Sequence, residues 1–120
     1  VTGWLDASEV PRVIRAADIC LDPARPTPLN DRSTMIKIAE YLAAGRPTVA
    51  YDLTETRRTA ADAVSLADRS DPASLAERVA ELARSEAMRR TAAERARRRA
   101  PELTWELSER ELLRAYDDLR

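Results

Sequence analysis

The chain has 120 residues, of which 44% are apolar, so it is long enough for one folded domain and too short for two. Its 20 basic and 21 acidic side chains give a net charge of −1, and without an overall positive field we expect no nucleic-acid partner. One cysteine and no histidine exclude an internal disulfide and any metal site or catalytic pair that needs histidine.

The predicted elements begin with a short strand and a helix. Residues 1–5 read as the end of an extended stretch. Asp6 or Ser8 can cap the helix that follows, with Pro11 in or near its first turn. The apolar run 17–21 predicts a second strand. Three prolines in the next eight residues predict a stiff loop, because proline fits neither a helix interior nor a central strand.

A helix over about 33–44 is predicted after this loop. Gly45 fits the position just beyond its last turn, and Pro47 prevents the helix from continuing. The other elements predicted in this part of the chain are a strand at 47–51, a helical turn at 54–62 and a weaker strand at 63–67.

The rest of the chain, residues 72–120, is predicted to be helical. One helix starts at Asp71, a second covers about 86–100 and a third starts near Thr104. Short apolar strands that alternate with helices favour a parallel sheet covered by helices on both faces. The predicted fold class is therefore α/β, a Rossmann-like parallel sheet with flanking helices and a helical C-terminal region.

The helix over 33–44 carries a polar stripe on an otherwise apolar surface, which is typical of a buried helix. At about 100° per residue, Ser33, Lys37 and Glu40 fall on one side. Ligands of such sheets bind beyond the carboxyl ends of the strands, and helix N-termini attract anions. The stripe thus predicts a phosphate site in which Lys37 adds charge and Glu40 accepts from hydroxyl groups. The alternative is an internal Lys37–Glu40 ion pair at the protein edge.

The run STMIKIAEYLAAGRPTVA at residues 33–50 resembles the donor-binding signature of GT-B glycosyltransferases of group 1, also called GT4. Four further segments are similar to segments of the same domain in the same order: TGW at 2–4, AADICLDP at 16–23, DPASLA at 71–76 and TW at 104–105. The ordered set covers essentially the whole chain.

The resemblance implies a retaining glycosyltransferase that transfers a hexose-type sugar from a UDP- or GDP-linked donor to a hydroxyl acceptor. Such enzymes have two Rossmann-like domains, and residues 1–120 are similar to the later part of the C-terminal, nucleotide-sugar-binding one. The acceptor is then expected to bind through an N-terminal domain outside this chain, and the chain alone to be inactive. The donor is a substrate, and neither a cofactor nor a metal is expected.

The resemblance also implies roles for individual residues. It places Glu40 on the ribose hydroxyls, and Gly3 and Trp4 near the base. Asp31 is expected to face the donor sugar as the catalytic carboxylate, because Arg32 stands where the family pattern has its first glutamate. The remaining nucleotide-sugar-binding set, with the helix N-terminus on the diphosphate, is Asn30, Ser33, Thr34, Met35, Ile36 and Lys37.

Several other side chains are expected to have structural roles. Cys20 reads as a small core residue, and from its position alone Trp4 is expected to pack under a helix. Trp105, Leu112 and Tyr116 are predicted to form the packing face of the last helix.

An arginine-rich helical region over 84–99 leaves other functions open. We expect a solvated face with Met88, Ala92, Ala96 and Ala100 packed inward. Contact with anionic lipid headgroups is one alternative, nucleic-acid binding is another, and a non-catalytic partner-binding module is a third. The second hypothesis for an enzyme is a GT-B-fold nucleotide-sugar epimerase, which shares the ribose-binding glutamate.

The expected location is the cytoplasm, with the inner face of the membrane as the place of any lipid contact. No apolar run approaches the roughly 20 residues of a membrane span. No secretory signal precedes the first predicted element.

Overall fold

A computed structural model describes residues 2–69 and 71–120. The elements in chain order are α1 (Val10–Ala16), β1 (Cys20–Asp22), α2 (Pro28–Asp31), α3 (Ile36–Ala43), β2 (Thr48–Tyr51), α4 (Thr54–Ala60), β3 (Ser65–Ala67), α5 (Pro72–Arg84), α6 (Glu86–Arg99), a 3₁₀ turn (Ala100–Leu103) and α7 (Trp105–Asp117).

The three strands form a parallel sheet in the order β1–β2–β3. Leu21 of β1 lies opposite Val49 of β2, and Ala50 of β2 lies opposite Leu66 of β3. Helices occupy both crossover connections, α2 and α3 in the first and α4 in the second. Parallel strands joined by helices confirm the predicted α/β class with a Rossmann-like sheet.

Apolar side chains cover both faces of the central strand β2, whose four residues are all buried. Ala50 belongs to a cluster with Ile38 of α3 and Ala96 of α6. Tyr51, the next residue, packs instead with Leu75 of α5. Successive side chains of a strand point to opposite faces, so α3 and α6 cover one face of the sheet and α5 covers the other.

The C-terminal end of α3 is closed by a glycine, as the sequence predicts. The Gly45 N–H donates to the Leu42 carbonyl with an N–O distance of 2.9 Å, and the Arg46 N–H donates to the Tyr41 carbonyl at 3.0 Å. These are the paired bonds of a Schellman motif. The φ angle of Gly45 is +65°, a region that favours glycine.

The predicted first strand is wrong over residues 2–5, which form no strand, while Val1 lies outside the described residues. Gly3 has a φ angle of +72°, which interrupts an extended conformation. Among the described strands, β1 pairs with β2 alone, so its other side is an edge of the sheet to which residues 2–5 add no strand.

The predicted proline loop contains the short helix α2. Pro28 occupies its first position, where a missing N–H costs nothing. The Thr27 hydroxyl accepts from the Asn30 N–H at 3.1 Å, which caps the turn. The three prolines predict a stiff loop, but the Thr27 cap and Pro28 together start a helix within it.

The helix α3 begins at Ile36, three residues later than predicted. The Ser33 hydroxyl donates to the Leu29 carbonyl at 2.7 Å and so closes the turn after α2 instead of capping α3. Met35, in an extended conformation, is the residue that precedes the helix.

The last helix, α7, lies apart from the core. It packs mainly against the 3₁₀ turn that precedes it, and every residue from 104 to 120 is exposed. The prediction that Trp105, Leu112 and Tyr116 pack inward is therefore wrong, because no other element of the described chain covers that face. In the described part of the chain, no helix is both long and apolar enough to cross a membrane.

Candidate functional site

The N-terminal end of α3 lies at the carboxyl end of β1. Its position is fixed by a contact between Lys37 in its first turn and Asp22, the last residue of β1. No side chain caps this end of the helix. Within residues 2–69 and 71–120, no acceptor takes a hydrogen bond from the N–H groups of Ile36 and Lys37. Free N–H groups and the helix dipole make such an end attractive to an anion.

The contact at this helix end is an ion pair between an accessible lysine and a buried aspartate. Nζ of Lys37 lies 3.1 Å from Oδ1 of Asp22, and the two side chains are 44% and 1% exposed. The same Oδ1 accepts from the Ala24 N–H at 3.2 Å. Oδ2 of Asp22 is buried without a hydrogen-bond partner among the described residues. Lys37 thus pairs with Asp22, and the predicted alternative, a Lys37–Glu40 pair, is wrong.

Glu40 opens onto a groove between α1 and α3. The groove has a volume of about 340 Å³ and is lined on the α1 side by Val10, Pro11, Ile14 and Arg15. The helix α3 is not buried around most of its surface, contrary to the prediction from its composition. Its surface side carries Glu40, Lys37, Ala43 and Ile36, the last of which is 74% exposed.

Below the Asp22–Lys37 pair, β1 and α3 contribute two buried or half-buried titratable groups. Burial raises the pKa of the Cys20 thiol, and the nearby Arg46 guanidinium partly opposes this shift. Burial also raises the pKa of the Tyr41 hydroxyl, with a further contribution from Cys20. Cys20 is buried, as the sequence predicts. At neutral pH both groups therefore stay uncharged.

Asp31, the predicted catalytic carboxylate, joins the loop after β1 to the two loops that follow β2 and β3. Its Oδ1 accepts from the Thr54 N–H at 3.0 Å, and its Oδ2 accepts from the Thr54 hydroxyl at 2.9 Å. Nη2 of Arg69 lies 3.1 Å from Oδ1. The hydrogen bonds from Thr54 are the main reason why the pKa of Asp31 lies below its ordinary value, and Arg69 adds to the effect.

The predicted polar residues beside Asp31 hold the same loop together. Nδ2 of Asn30 donates to the Arg25 carbonyl at 2.8 Å. The Thr34 hydroxyl donates to Oε2 of Glu55 at 3.2 Å, which ties the loop to α4. With Ser33 bonded within the turn, these contacts fix the segment that enters α3.

Gly3 and Trp4 lie in the segment before α1, at the surface. A Cβ added at Gly3 would meet nothing within 4 Å. The Trp4 side chain is 97% exposed, so the prediction that it packs under a helix is wrong. The described residues offer no apolar surface over this indole, which leaves its ring free.

Most arginines of α6 make contacts within the chain. Arg89 donates at 2.7 and 2.8 Å to carbonyls at the end of α5, and Arg99 donates at 2.8 and 3.1 Å to carbonyls near the end of α4. Arg95 and Arg98 each approach Asp62 to 3.8 Å. This arrangement favours a structural, solvated role for the arginine-rich face.

The inward side of α6 is formed by alanines. Ala96 is buried and Ala92 is half-buried, as predicted, and so is Ala100 in the 3₁₀ turn that follows the helix. Met88 stays exposed, contrary to the prediction, because it borders an open groove of about 360 Å³ that also includes Val64.

A further groove of about 530 Å³ lies at the carboxyl ends of the strands. Its lining includes Pro23, Pro26, Tyr51 and two arginines, Arg25 and Arg69. The two arginines give this groove positive charge, and the prolines and Tyr51 give it an apolar surface. No group of three or more Cys, Asp or Glu side chains placed as metal ligands occurs within the described part of the chain.

Residues 1–85 match the protein family described as group 1 glycosyl transferases. The chain belongs to this family. The match covers all three strands of the sheet, α3 and the loop that carries Asp31, while α6 and α7 follow it in the chain.

TuaH of Bacillus subtilis (strain 168), named as a teichuronic acid biosynthesis glycosyltransferase, is similar to this group 1 chain. The two are 37% identical over 57 residues, which make up 48% of this chain and 14% of TuaH. The similarity thus spans a small share of that relative's length.

The side chains that contact Lys37 and Asp31 in this group 1 chain were not predicted from its sequence. Asp22 carries a signal, since a carboxylate ends an otherwise apolar strand at the edge where ligands bind. Thr54 and Arg69, the partners of Asp31, carry no such signal, because the fold alone brings the three loops together.

Proposed function

We propose that this chain binds the nucleoside diphosphate sugar of a retaining glycosyltransferase, which transfers a hexose-type sugar to a hydroxyl acceptor. The observation that carries the proposal is the uncapped N-terminus of α3, with the Lys37 ammonium beside it and Glu40 one turn further along the exposed side. Membership of the group 1 glycosyltransferases supports the reaction class.

In this proposal the diphosphate binds at the first turn of α3. The free N–H groups of Ile36 and Lys37 and the Lys37 ammonium donate to its oxygens. When the bond between the sugar and the diphosphate breaks, negative charge grows on the leaving group. Donors fixed before the reaction stabilise that charge without reorganising, which lowers the barrier.

The nucleoside lies along the exposed side of α3 towards α1. Glu40 accepts hydrogen bonds from the ribose hydroxyls at the mouth of the groove that it lines. The unpacked ring of Trp4, with Gly3 beside it, stacks on the base. UDP and GDP sugars are the donor classes to be tested.

Asp31 faces the donor sugar in this proposal. Its oxygens already accept from Thr54, but a carboxylate has about four lone-pair sites and can take a further hydroxyl donor. The acceptor binds to a domain outside this chain, so we expect residues 1–120 alone to bind the donor and to transfer no sugar. We propose that catalysis needs no metal and that the protein is cytoplasmic, with the α6 arginines as the surface for any peripheral membrane contact.

Calorimetric titration of the purified chain with UDP and with GDP tests the donor site. We expect saturable binding of one of them by the wild type, and an affinity at least about tenfold lower for Glu40→Ala, because the ribose loses charge-assisted hydrogen bonds. Glu94→Ala is the matched control, since it removes the same group from the exposed surface of α6.

Equal affinities for the wild type and Glu40→Ala would contradict the proposal. Tighter binding by Glu94→Ala, with Glu40→Ala unchanged, would place the nucleotide on the α6 arginines, because that substitution removes a negative charge there. Titrations at two salt concentrations separate a nonspecific contact with the arginines, whose affinity falls steeply with salt.

A further inference from the structure

We propose that Asp22 is a positioning residue, which holds the Lys37 ammonium at the first turn of α3 so that it is ready to bind the diphosphate. The inference rests on the proposed donor site and assigns a role to a residue that does not itself touch the ligand. Asp22 is 1% exposed at the end of β1, and the Lys37 ammonium is 3.1 Å from its Oδ1.

The burial of Asp22 explains why Lys37 stays in place. A buried carboxylate loses its hydration, and in the described chain Lys37 is the one cation that pairs with it. Among residues 2–69 and 71–120, the Ala24 N–H is its other donor, and Oδ2 has no hydrogen-bond partner. Swinging Lys37 into solvent would leave this charge uncompensated inside the protein. The ion pair therefore restricts the Lys37 side chain to few rotamers, whereas an unpaired lysine would sample many.

The residue type at position 37 fits this role. The chain has 19 arginines and a single lysine, and that lysine stands here. An ammonium is a compact charge with three donors, so one N–H can bond Oδ1 of Asp22 while the others point to an anion. Lys37 is 44% exposed, which leaves that side of the ammonium accessible.

The unsatisfied Oδ2 of Asp22 supports a functional rather than a stabilising role. Buried polar atoms almost always have a hydrogen-bond partner, and an exception costs stability. A neutral apolar residue would fill the end of β1 without that cost. The carboxylate at this position fixes an ammonium at the helix end, which an apolar residue cannot do.

Calorimetric titration with UDP and GDP of Asp22→Asn tests the inference through the sign of its effect. Removing a negative charge near an anion site should by simple Coulomb attraction tighten binding. The positioning role predicts the opposite, an affinity about tenfold lower, because the ammonium is no longer fixed. Asp52→Asn is the matched control, since it removes a carboxylate after β2 whose ion-pair partner is Arg57 of α4. We expect it to bind unchanged or slightly more tightly.

A double-variant cycle shows whether Asp22 acts through Lys37. Lys37→Met should lower the affinity for the nucleoside diphosphate as much as Asp22→Asn does, or more. The double variant should bind no more weakly than Lys37→Met alone. Additive losses would overturn the inference, since Asp22 would then act by another route. Affinity for the nucleoside monophosphate should fall less than that for the diphosphate, whereas general damage to the site would lower both equally.

A measurement on the unaltered chain decides the matter if Asp22→Asn does not fold. Because Lys37 is the only lysine, labelling with ¹⁵N-lysine gives one side-chain ammonium signal. We expect that signal to be observable without ligand, because the pair slows proton exchange, and to shift on saturation with the bound diphosphate. An ammonium signal that does not move at saturation overturns the inference.

The two proposals fail in different ways. If the wild type binds UDP or GDP, Glu40→Ala weakens it and Asp22→Asn does not, the donor site stands and the role of Asp22 is overturned. If the wild type binds neither nucleotide, both proposals are overturned and the Asp22–Lys37 pair is a structural ion pair alone.

Discussion

Asp31 shows how a single carboxylate can hold three loops at one edge of the sheet. Its contacts with Thr54 and Arg69 join the segments after β1, β2 and β3. Hydrogen bonds to the charged form lower its pKa, so the folded chain binds fewer protons at this group than the unfolded chain in acid. Its stabilising effect is thus complete above the unfolded pKa and is lost as the pH falls through the folded one.

This linkage predicts the acid response of Asp31→Asn. Below roughly pH 5 the melting temperature of the wild type should fall more steeply than that of the variant, which has no proton to gain at this position. Melting curves at several pH values give the comparison, with Asp118→Asn at the exposed C-terminal end as the control. Parallel pH profiles for the wild type and Asp31→Asn would contradict the account.

Trp4 gives a second test at the residue scale. The chain has two tryptophans, so Trp105→Phe leaves Trp4 as the sole indole. Because its ring is 97% exposed, we expect emission typical of indole in water, and quenching when a bound base stacks on it. Emission that stays unchanged while calorimetry shows saturation would remove Trp4 from the base site.

At the scale of elements, α3 depends on a glycine at its C-terminal end. Gly45→Ala places a side chain at a φ angle of +65°, with its Cβ 3.0 Å from Nε of Arg97. We expect the free energy of unfolding to fall by about 1–2 kcal/mol from backbone strain alone. Chemical denaturation measures the change.

Gly3→Ala is the matched control for this substitution. Gly3 has a similar φ angle of +72°, but open space surrounds its added Cβ, and it lies outside any helix or strand. Alanine is disfavoured at this φ angle as well, but the segment lies outside the packed elements and can change its backbone conformation, so we expect a smaller fall in the free energy of unfolding than for Gly45→Ala. If Gly45→Ala destabilises the chain no more than Gly3→Ala does, the cap of α3 is not a significant contribution to the fold.

Elements with strong local patterns were predictable, and contacts distant in sequence were not. The alternation of apolar strands and helices predicts β1, β2, β3 and the helices α4 to α6, because the local pattern matches what the core requires. The start of α3 was misplaced because Ser33 bonds backward to Leu29, an equally local choice that the sequence leaves open. The Asp22–Lys37 pair depends on how β1 and α3 meet, which no local pattern contains.

At the scale of the whole molecule, the chain consists of a core and a projecting helix. The molecule measures 55 Å along its longest axis and 31 Å along its shortest, and α7 packs mainly on the preceding turn. On α7, Trp105, Leu112 and Tyr116 form an apolar face that no described element covers, and Leu119 in the turn after the helix is exposed as well. The stability of the core should therefore be nearly independent of this helix.

Truncation after Leu103 tests this division. We expect the shortened chain to keep a cooperative melting transition within a few degrees of the wild type, since every residue that it loses is exposed. Removal of α5 and α6 in addition should abolish the transition, because Leu75 and Ala96 belong to the two core clusters. A large loss of stability on removing residues 104–120 alone would show that α7 supports the core.

The most direct test of the donor site is an amide NMR titration of the ¹⁵N-labelled chain with UDP and, separately, GDP. We expect one nucleotide to produce saturable shifts that are largest at Ile36 and Lys37, where the helix presents free N–H groups. Smaller shifts should follow at Glu40. Shifts confined to the arginine-rich helix α6, or none at the start of α3 for either nucleotide, would contradict it.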